Sequence, residues 1–537
     1  MQKSTEKPAS PSRASRFQAW LLPDGDSPQR LGRRALLVLL AAASLLYGIG
    51  LGTTDLWAPD EPRYGAIAEE MRSFRHGAGG LALLHLNDIP YTQKPPLYFW
   101  LAAAFGVPEG HVHEISARLP SAIAGVVCVG LTAWIGLILF GQAPSAILAA
   151  GILATSFRFA FTARRAQLDV LLTAFELAAI AIFLLLEFRR GGVENARRFP
   201  LALAGLHACL GAAALTKGPV GWLPLLIFAA YLAWCGRIRA WRELAPLWAW
   251  LLSLGPILVW IGVAVALAPS GFSEIAVGEN LIGRFFLGTS HARPFYYYAI
   301  QLPLDFMPWS LLLPFAIPPL WHCAKTIGVE SADAGKRSLE SESGPTRSAS
   351  ARFLCVWLIV PLVFFTLSAG KRGLYLLPIF PALALVSIFA GGRSLNLGQL
   401  APSAIRRFTL AVAIVATIEL ALFALAMPLL NEEKSPRPIA EAATLHSKTG
   451  EEIGVLGLSP LEGGIGYYTE RPVVSLRNES DLPGFFAGGG RLVILRGRDL
   501  ERLEARWALQ SIQSFRRGRR NLALAARIDT RANQENP

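Results

Sequence analysis

The chain has 537 residues, of which 53% are hydrophobic and 17% charged, with a formal net charge of +13. An ordinary soluble domain carries roughly 25% charged residues, so this chain has too little charge to coat several globular domains, and disorder, a fibrous repeat and a secreted disulfide scaffold are excluded as well. The excess of Lys and Arg fits the cytoplasmic loops of a polytopic membrane protein better than a nucleic-acid surface.

A hydrocarbon core about 30 Å thick needs roughly 20 apolar residues per helix. Blocks of that kind fall at 34–53, 119–140, 143–163, 168–188, 200–216, 219–235, 246–268, 299–321, 353–369, 373–391 and 406–430. Eleven spans are expected, with 94–106 a further re-entrant or membrane segment. The positive-inside rule then puts the basic N-terminal segment 1–33, Arg189–Arg198, Arg237 to Arg242, the linker 322–352 and Arg393 to Arg407 in the cytoplasm. The loops 54–118 and 269–298 and the tail after residue 430 go to the other side. Cys128, Cys209, Cys235, Cys323 and Cys355 lie in or beside apolar runs without ligand spacing, as small hydrophobes do. Residues 431–537 alternate short apolar runs (IGVLGL, RPVVSL, RLVILRG) with Gly and Pro, and a charged helical pattern follows from Asp499. They read as a small α/β domain.

Ionisable groups in a greasy chain mark function, and four clusters fall on the expected outer face. In WAPDEPRYGAIAEEM, Asp60 stands at an N-cap position, Glu61 and Pro62 open a helix, and Tyr64, Ile67, Ala68 and Met71 share one apolar face. An amphipathic helix in the membrane interface fits, with Asp60 either its cap or a general base. NDIPYTQKPPLYFW places Gln93 and Lys94 before two prolines among aromatics, where Lys94 either snorkels or meets a lipid phosphate. RRAQLD (Arg164, Arg165, Asp169) and LTKGP (Lys217) anchor helix ends or join a site. The fourth cluster, 277–309 with SAGKRGLY, brings Arg284, His291, Arg293, Lys371, Arg372 and Tyr375. Basic residues there run against positive-inside, which points to an anionic ligand. A carboxylate pair facing separated cations at a lipid boundary suits an enzyme acting on a phosphate-bearing lipid. Phosphate loops, zinc helices of the H-E-x-x-H kind and G-x-S-x-G elbows are absent from the sequence.

Taken in order, LWAPDEPRYGAIAEEM, PYTQKPPLYFWLAAAFG, ISARLPSAIAG, RRAQLDVLLTAF, ALTKGP, ENLIGRFF…HARPFYYYAIQLPLDFMPWSLLLP and SAGKRGLYLLPIFPAL resemble the bacterial aminoarabinose transferases. These belong to the membrane glycosyltransferase superfamily that also holds the protein O-mannosyltransferases. The likeness spans roughly 34–390. It implies an all-α polytopic GT-C fold, in which residues 34–430 are expected to be the catalytic domain; the small domain 431–537 is placed on the outer side by the topology. It also implies a polyprenyl-phosphate-linked sugar donor, a lipid or protein acceptor, and a periplasmic site on the bacterial inner membrane. Carried over by position, Asp60 matches the catalytic aspartate with Glu61 beside it, and Asp169 a second acidic position. Lys94, Arg284 and Tyr375 match groups that hold the lipid phosphate, and Arg372 is a further candidate to hold it. Arg63, Tyr64, Gln93, Arg165, Lys217 and His291 are further candidates. The family usually has a metal-associated glutamate where this chain has Gln93, and an amide is a poor ligand for a divalent ion. Asp60 is then the remaining metal candidate, and no cofactor is expected with certainty. The alternative is a lipid or sugar transporter, but such proteins set ionisable groups at the midplane of repeated, broken helices, whereas here they cluster at span ends.

Overall fold

The computed structural model describes residues 28–269, 292–325, 347–391, 400–518 and 520–528. Its membrane part is helical: Pro28–Gly48 (α1), Asp60–Arg72 (α2), Leu97–Gly106 (α3), Glu114–Phe140 (α4), Ala143–Ala154 (α5), Phe157–Ala163 (α6), Leu168–Arg189 (α7) and Pro200–Lys217 (α8). There follow Leu223–Trp234 (α9), Leu247–Leu267 (α10), Tyr297–Asp305 (α11), Leu313–Lys325 (α12), Arg347–Leu367 (α13), Phe380–Ser387 (α14) and Pro402–Ala421 (α15). Local chemistry sets the boundaries. Gly141 ends α4 with φ 67°, and Pro stands in the first turn of α5 and α8.

Six helices among the described residues are long and apolar enough to cross a membrane, or eight with two bent pairs, against the eleven spans expected. All eleven expected segments nonetheless fall on helix. Two are bent: α5–α6 by 68° and the stretch from α11 to Lys325 by 108°. At the first bend Thr155 and Ser156 bond back to the carbonyls of Gly151 and Ile152, and Trp309 donates to the Thr155 carbonyl at 3.1 Å. Local back-bonding of this kind bends helices without orphaning backbone groups. The helical run Pro200–Trp234 is two passes. Lys217 pairs with Asp169 at the start of α7, whereas Arg237 pairs with Glu187, at 2.5 Å, near its end. Those two sites are 18 residues apart on α7, about 27 Å, so α9 must run back alongside it from a reversal at Gly218 (φ 77°).

The same contacts distinguish the two ends of the bundle. At one end Arg189 donates to Leu137, Ser350 to Leu139 and Arg352 to Ala324, beside the Arg237–Glu187 pair. The other end holds the Asp169–Lys217 pair and all of α2. The central helix is α7, largely buried, while α10 and α15 turn most of their apolar surface outward. The segment 94–106 forms α3, ten residues against α2 and α4, too short to cross. The linker 322–352 is helical at both ends, and 326–346 lies outside the described residues, as does the N-terminal segment up to residue 27.

Beyond Asn431 the chain forms a five-stranded sheet in the order β4–β3–β5–β7–β6, where β3 is Ile453–Leu456, β4 Val473–Leu476, β5 Leu492–Arg496, β6 Leu509–Arg517 and β7 Arg520–Arg527. A two-residue ladder in the first loop, His85–Leu86 with Ile89–Pro90, supplies β1 and β2. The three runs read as strands are β3, β4 and β5, joined in parallel through α16 (Ser459–Thr469) and α17 (Leu482–Ala487), as parallel pairs require. The helix expected from Asp499 ends at Trp507. Ala508 turns left-handed (φ 50°), and the rest of the segment is the antiparallel pair β6–β7.

Candidate active site

Helix α2 departs from the expected interfacial helix. Ten of its 13 residues are buried, including Asp60, Glu61, Pro62 and Glu70 on the faces a bilayer-surface helix would leave wet. Two elements enclose it. Tyr64 sits among the rings of Tyr98 and Phe99 of α3, with centroids 6.2 and 5.5 Å away. On the other side comes α16, through glycines: a Cβ at Gly463 would stand 2.8 Å from the Arg63 Cα, and one at Gly464 3.4 Å from the Pro62 ring. Tyr468 of α16 accepts the Leu56 N–H at 2.7 Å and donates to Glu114, and Tyr467 donates to the Val112 carbonyl. The tail of the chain therefore helps seat the helix that opens with Asp60.

Asp60 and Glu61 are neighbours with different surroundings. Glu61 is fully buried, and Arg118 (2.9 and 3.1 Å), Arg165 (2.9 Å) and the N–H groups of Trp57 (2.9 Å) and Ala166 (2.8 Å) occupy its oxygens. Burial pushes its carboxyl up, but the two guanidinium charges and the donated hydrogen bonds prevail and hold it at about 2. Such a group fastens the first loop to α4 and to the turn before α7. Arg165 also lies over the Trp57 ring at 4.9 Å.

Asp60 does not cap its helix: Pro59 is the N-cap, without a side-chain capping bond. The Asp60 carboxylate instead reaches Arg372 at 2.9 Å, the Gln167 amide at 3.4 Å and Arg63 at 3.8 Å. Burial raises its pKa, and the Arg372 charge and hydrogen bond, with Arg63 and Gln167, outweigh it and leave the pKa lowered. Burial and the Asp60 charge push the Tyr64 hydroxyl well up. The turn that delivers Arg372 is braced from behind. Tyr298 donates to the Arg372 carbonyl at 3.2 Å, and Arg158 and Gln301 hold Asp305 at 2.7–2.8 Å. Asp305 in turn lies where a Cβ at Gly373 would fall. Lys371 is spent inside the turn, donating to the carbonyls of Ser368 and Arg293.

Asp169 pairs with Lys217, whose ammonium sits 4.7 Å from the centre of the Tyr375 ring. Arg372 feels both carboxylates, Asp60 before Asp169, which keep its guanidinium charged against the cost of burial. The structure thus brings together Asp60, Arg63, Tyr64, Asp169, Lys217, Arg372 and Tyr375. Glu61 and Arg165 form the clamp behind them, and Arg164 caps the end of α1 through the Leu46 and Ile49 carbonyls. Half-buried Lys94 and exposed Gln93 lie in the turn before α3. Arg284 and His291 lie outside the described residues. Sequence reading missed Arg118, Gln167 and the Arg158–Asp305 brace. A lone arginine inside the apolar ISARLPSAIAG was the available signal for Arg118. A divalent ion at the family's metal position is not supported by these residues: position 93 is an exposed amide, and Asp60 already faces two guanidinium groups.

A carboxylate and several cations thus gather at one end of a bundle of bent helices. The profile of the dolichyl-phosphate-mannose-protein mannosyltransferase family matches residues 34–273. The chain belongs to the undecaprenyl-phosphate aminoarabinose transferase family. It is 31% identical over 408 residues to the undecaprenyl phosphate-alpha-4-amino-4-deoxy-L-arabinose arabinosyl transferase of Pseudomonas aeruginosa strain LESB58, covering 75% of this chain and 68% of the relative. Transferase 2 of that name from Pseudomonas fluorescens is 30% identical over 360 residues, 66% of this chain and 56% of the relative. ArnT from Cupriavidus metallidurans bound to undecaprenyl phosphate has the same fold, with a TM-score of 0.70 at 19% identity over 92% of this chain and 98% of that one. The archaeal oligosaccharyltransferase AglB from Archaeoglobus fulgidus is more distant: TM-score 0.53, 14% identity, 88% of this chain and 70% of that one.

Proposed function

We propose that this protein transfers a sugar from a polyprenyl-phosphate donor to an envelope acceptor, with inversion at the anomeric carbon. The observation that carries this reading is the buried Asp60 carboxylate held against Arg372 at the end of the bundle away from the short basic loops. Family membership supports undecaprenyl phosphate as the carrier. Positive-inside makes the basic end cytoplasmic, so the site faces the periplasm of the inner membrane, as does the domain 431–537.

In this mechanism Arg372 and Lys94, with Arg284, hold the donor phosphate, and Tyr375 hydrogen-bonds it. The acceptor oxygen attacks the anomeric carbon from the face opposite the phosphate. The bond from that carbon to the phosphate oxygen breaks, and its electron pair leaves on the polyprenyl phosphate, where the cations stabilise the charge. Asp60 takes the proton of a hydroxyl acceptor, or orients an acceptor that is already a phosphate anion. When the donor phosphate draws Arg372 away, Asp60 loses its strongest partner and becomes a better base. Asp169 keeps Lys217 in place beneath Tyr375.

The test is incubation of purified protein in vesicles with undecaprenyl-phosphate-linked aminopentose or hexose, together with lipid A, another glycolipid or an envelope protein. Released undecaprenyl phosphate and a mass gain on one acceptor support the proposal and name both substrates. Intact donor with every acceptor, from protein that binds the donor, ends it.

A further inference from the structure

The far end of α2 carries a second constellation, about 15 Å along the helix from Asp60 by the rise per residue. His76 Nε2 lies 3.1 Å from Glu70 Oε2 and 3.4 Å from Asp88 Oδ1, and the three atoms all fall within 4.8 Å of one another. Each ligand is held from outside. The Asn87 N–H donates to the other oxygen of Glu70 at 2.7 Å, and Arg75 takes the other oxygen of Asp88 at 2.5 Å. The ring of His85, from β1, stacks on that of His76 with centroids 3.7 Å apart, and its buried Nδ1 has no hydrogen-bond partner among the described residues. Outer partners that leave one oxygen of each carboxylate turned inward are the arrangement by which proteins orient metal ligands.

One proton on His76 can bond only one of the two carboxylates well. A divalent ion in its place serves all three. For a tetrahedral ion with bonds of about 2.1 Å, neighbouring ligand atoms stand about 3.4 Å apart, which the two His76 distances already approach. We propose that Glu70, His76 and Asp88 bind one divalent cation, zinc by the mixed imidazole and carboxylate donor set, with water completing the shell. The ion joins α2 to the β1–β2 hairpin, from which the chain runs directly into the turn of Gln93 and Lys94. It is a clip that fixes two walls of the site relative to each other and touches no substrate, and it is separate from position 93.

The experiment uses full-length protein in detergent, stripped with EDTA and titrated with Zn²⁺, then with Mn²⁺. Expected are one equivalent of zinc by elemental analysis and a rise in Tm of a few degrees at saturation. Both are lost in His76→Ala and in Asp88→Asn, whose site is on an exposed hairpin and tolerates change. Arg75→Ala weakens zinc binding on the order of tenfold through Asp88. His111→Ala, in the separate pair with Glu69, binds zinc as the wild type does. Wild-type protein that takes up no zinc, or Asp88→Asn protein that binds it undiminished, overturns the proposal. Neither result bears on sugar transfer.

Discussion

The two carboxylates that open α2 sit in regions built for opposite ends. Around Glu61 every oxygen is engaged and the partners are themselves buried, so the region is closed. Around Asp60 a single strong partner comes from a turn more than 300 residues away, and Arg372 keeps some exposure to solvent. Saturation makes a fastener, whereas one exchangeable partner leaves a carboxylate free to change its contacts, as the proposed base must. The same carboxylate group, one position apart on one helix, is thereby given two different surroundings.

The comparison breaks most sharply at Asp60. Asp60→Asn keeps the size and loses the charge, and transfer should fall by about 10²–10⁴-fold, with Tm lowered less than in Glu61→Gln. Undiminished turnover removes Asp60 from the reaction. Glu61→Gln should show the reverse pattern, costing about 3–5 kcal/mol by leaving buried guanidinium groups unpaired, read as lower Tm and yield. The pH signs sharpen the contrast. Glu61 contributes stability that is fully present above its ordinary value of 4.5 and is lost as pH falls towards about 2. Asp60 has a lowered pKa in the folded chain, so its contribution likewise disappears only on acidification.

Arg372→Gln should raise the donor KM about tenfold by losing a charge-assisted contact. It should also shift the acid limb of kcat/KM upward, because burial is then left with fewer opposing charges at Asp60. A KM change without that shift separates phosphate binding from the contact with Asp60. The smallest effect is expected at Gly463→Ala, whose new methyl stands 2.8 Å from the Arg63 Cα. A strain of about 1–3 kcal/mol should lower kcat several-fold while leaving the sheet core intact.

Much of the fold was legible because a bilayer imposes a length and a composition that apolar blocks must obey. The bends were harder to see. At 155–156 only Thr and Ser interrupt the apolar run, and the break depends on their hydroxyls and on Trp309 arriving from far along the sequence. Asp60, Asp169, Lys217, Arg372 and Tyr375 stood out as polar groups at the ends of greasy spans. That Glu61 would be locked while Asp60 stays engageable was not legible, since the difference lies in Arg118, Arg165 and two backbone N–H groups. The β6–β7 pair was hidden because the polar run LQSIQSFRR suits an exposed edge strand as well as a helix.

The glycines of α16 have one more consequence. Because Gly463 of that helix lies against the backbone of Arg63 on α2, with no flexible arm between them to absorb an error, the seat of Asp60 is complete only when α16 is in place. On the proposed function, a chain cut before α16 loses that seat, and donor turnover falls with it.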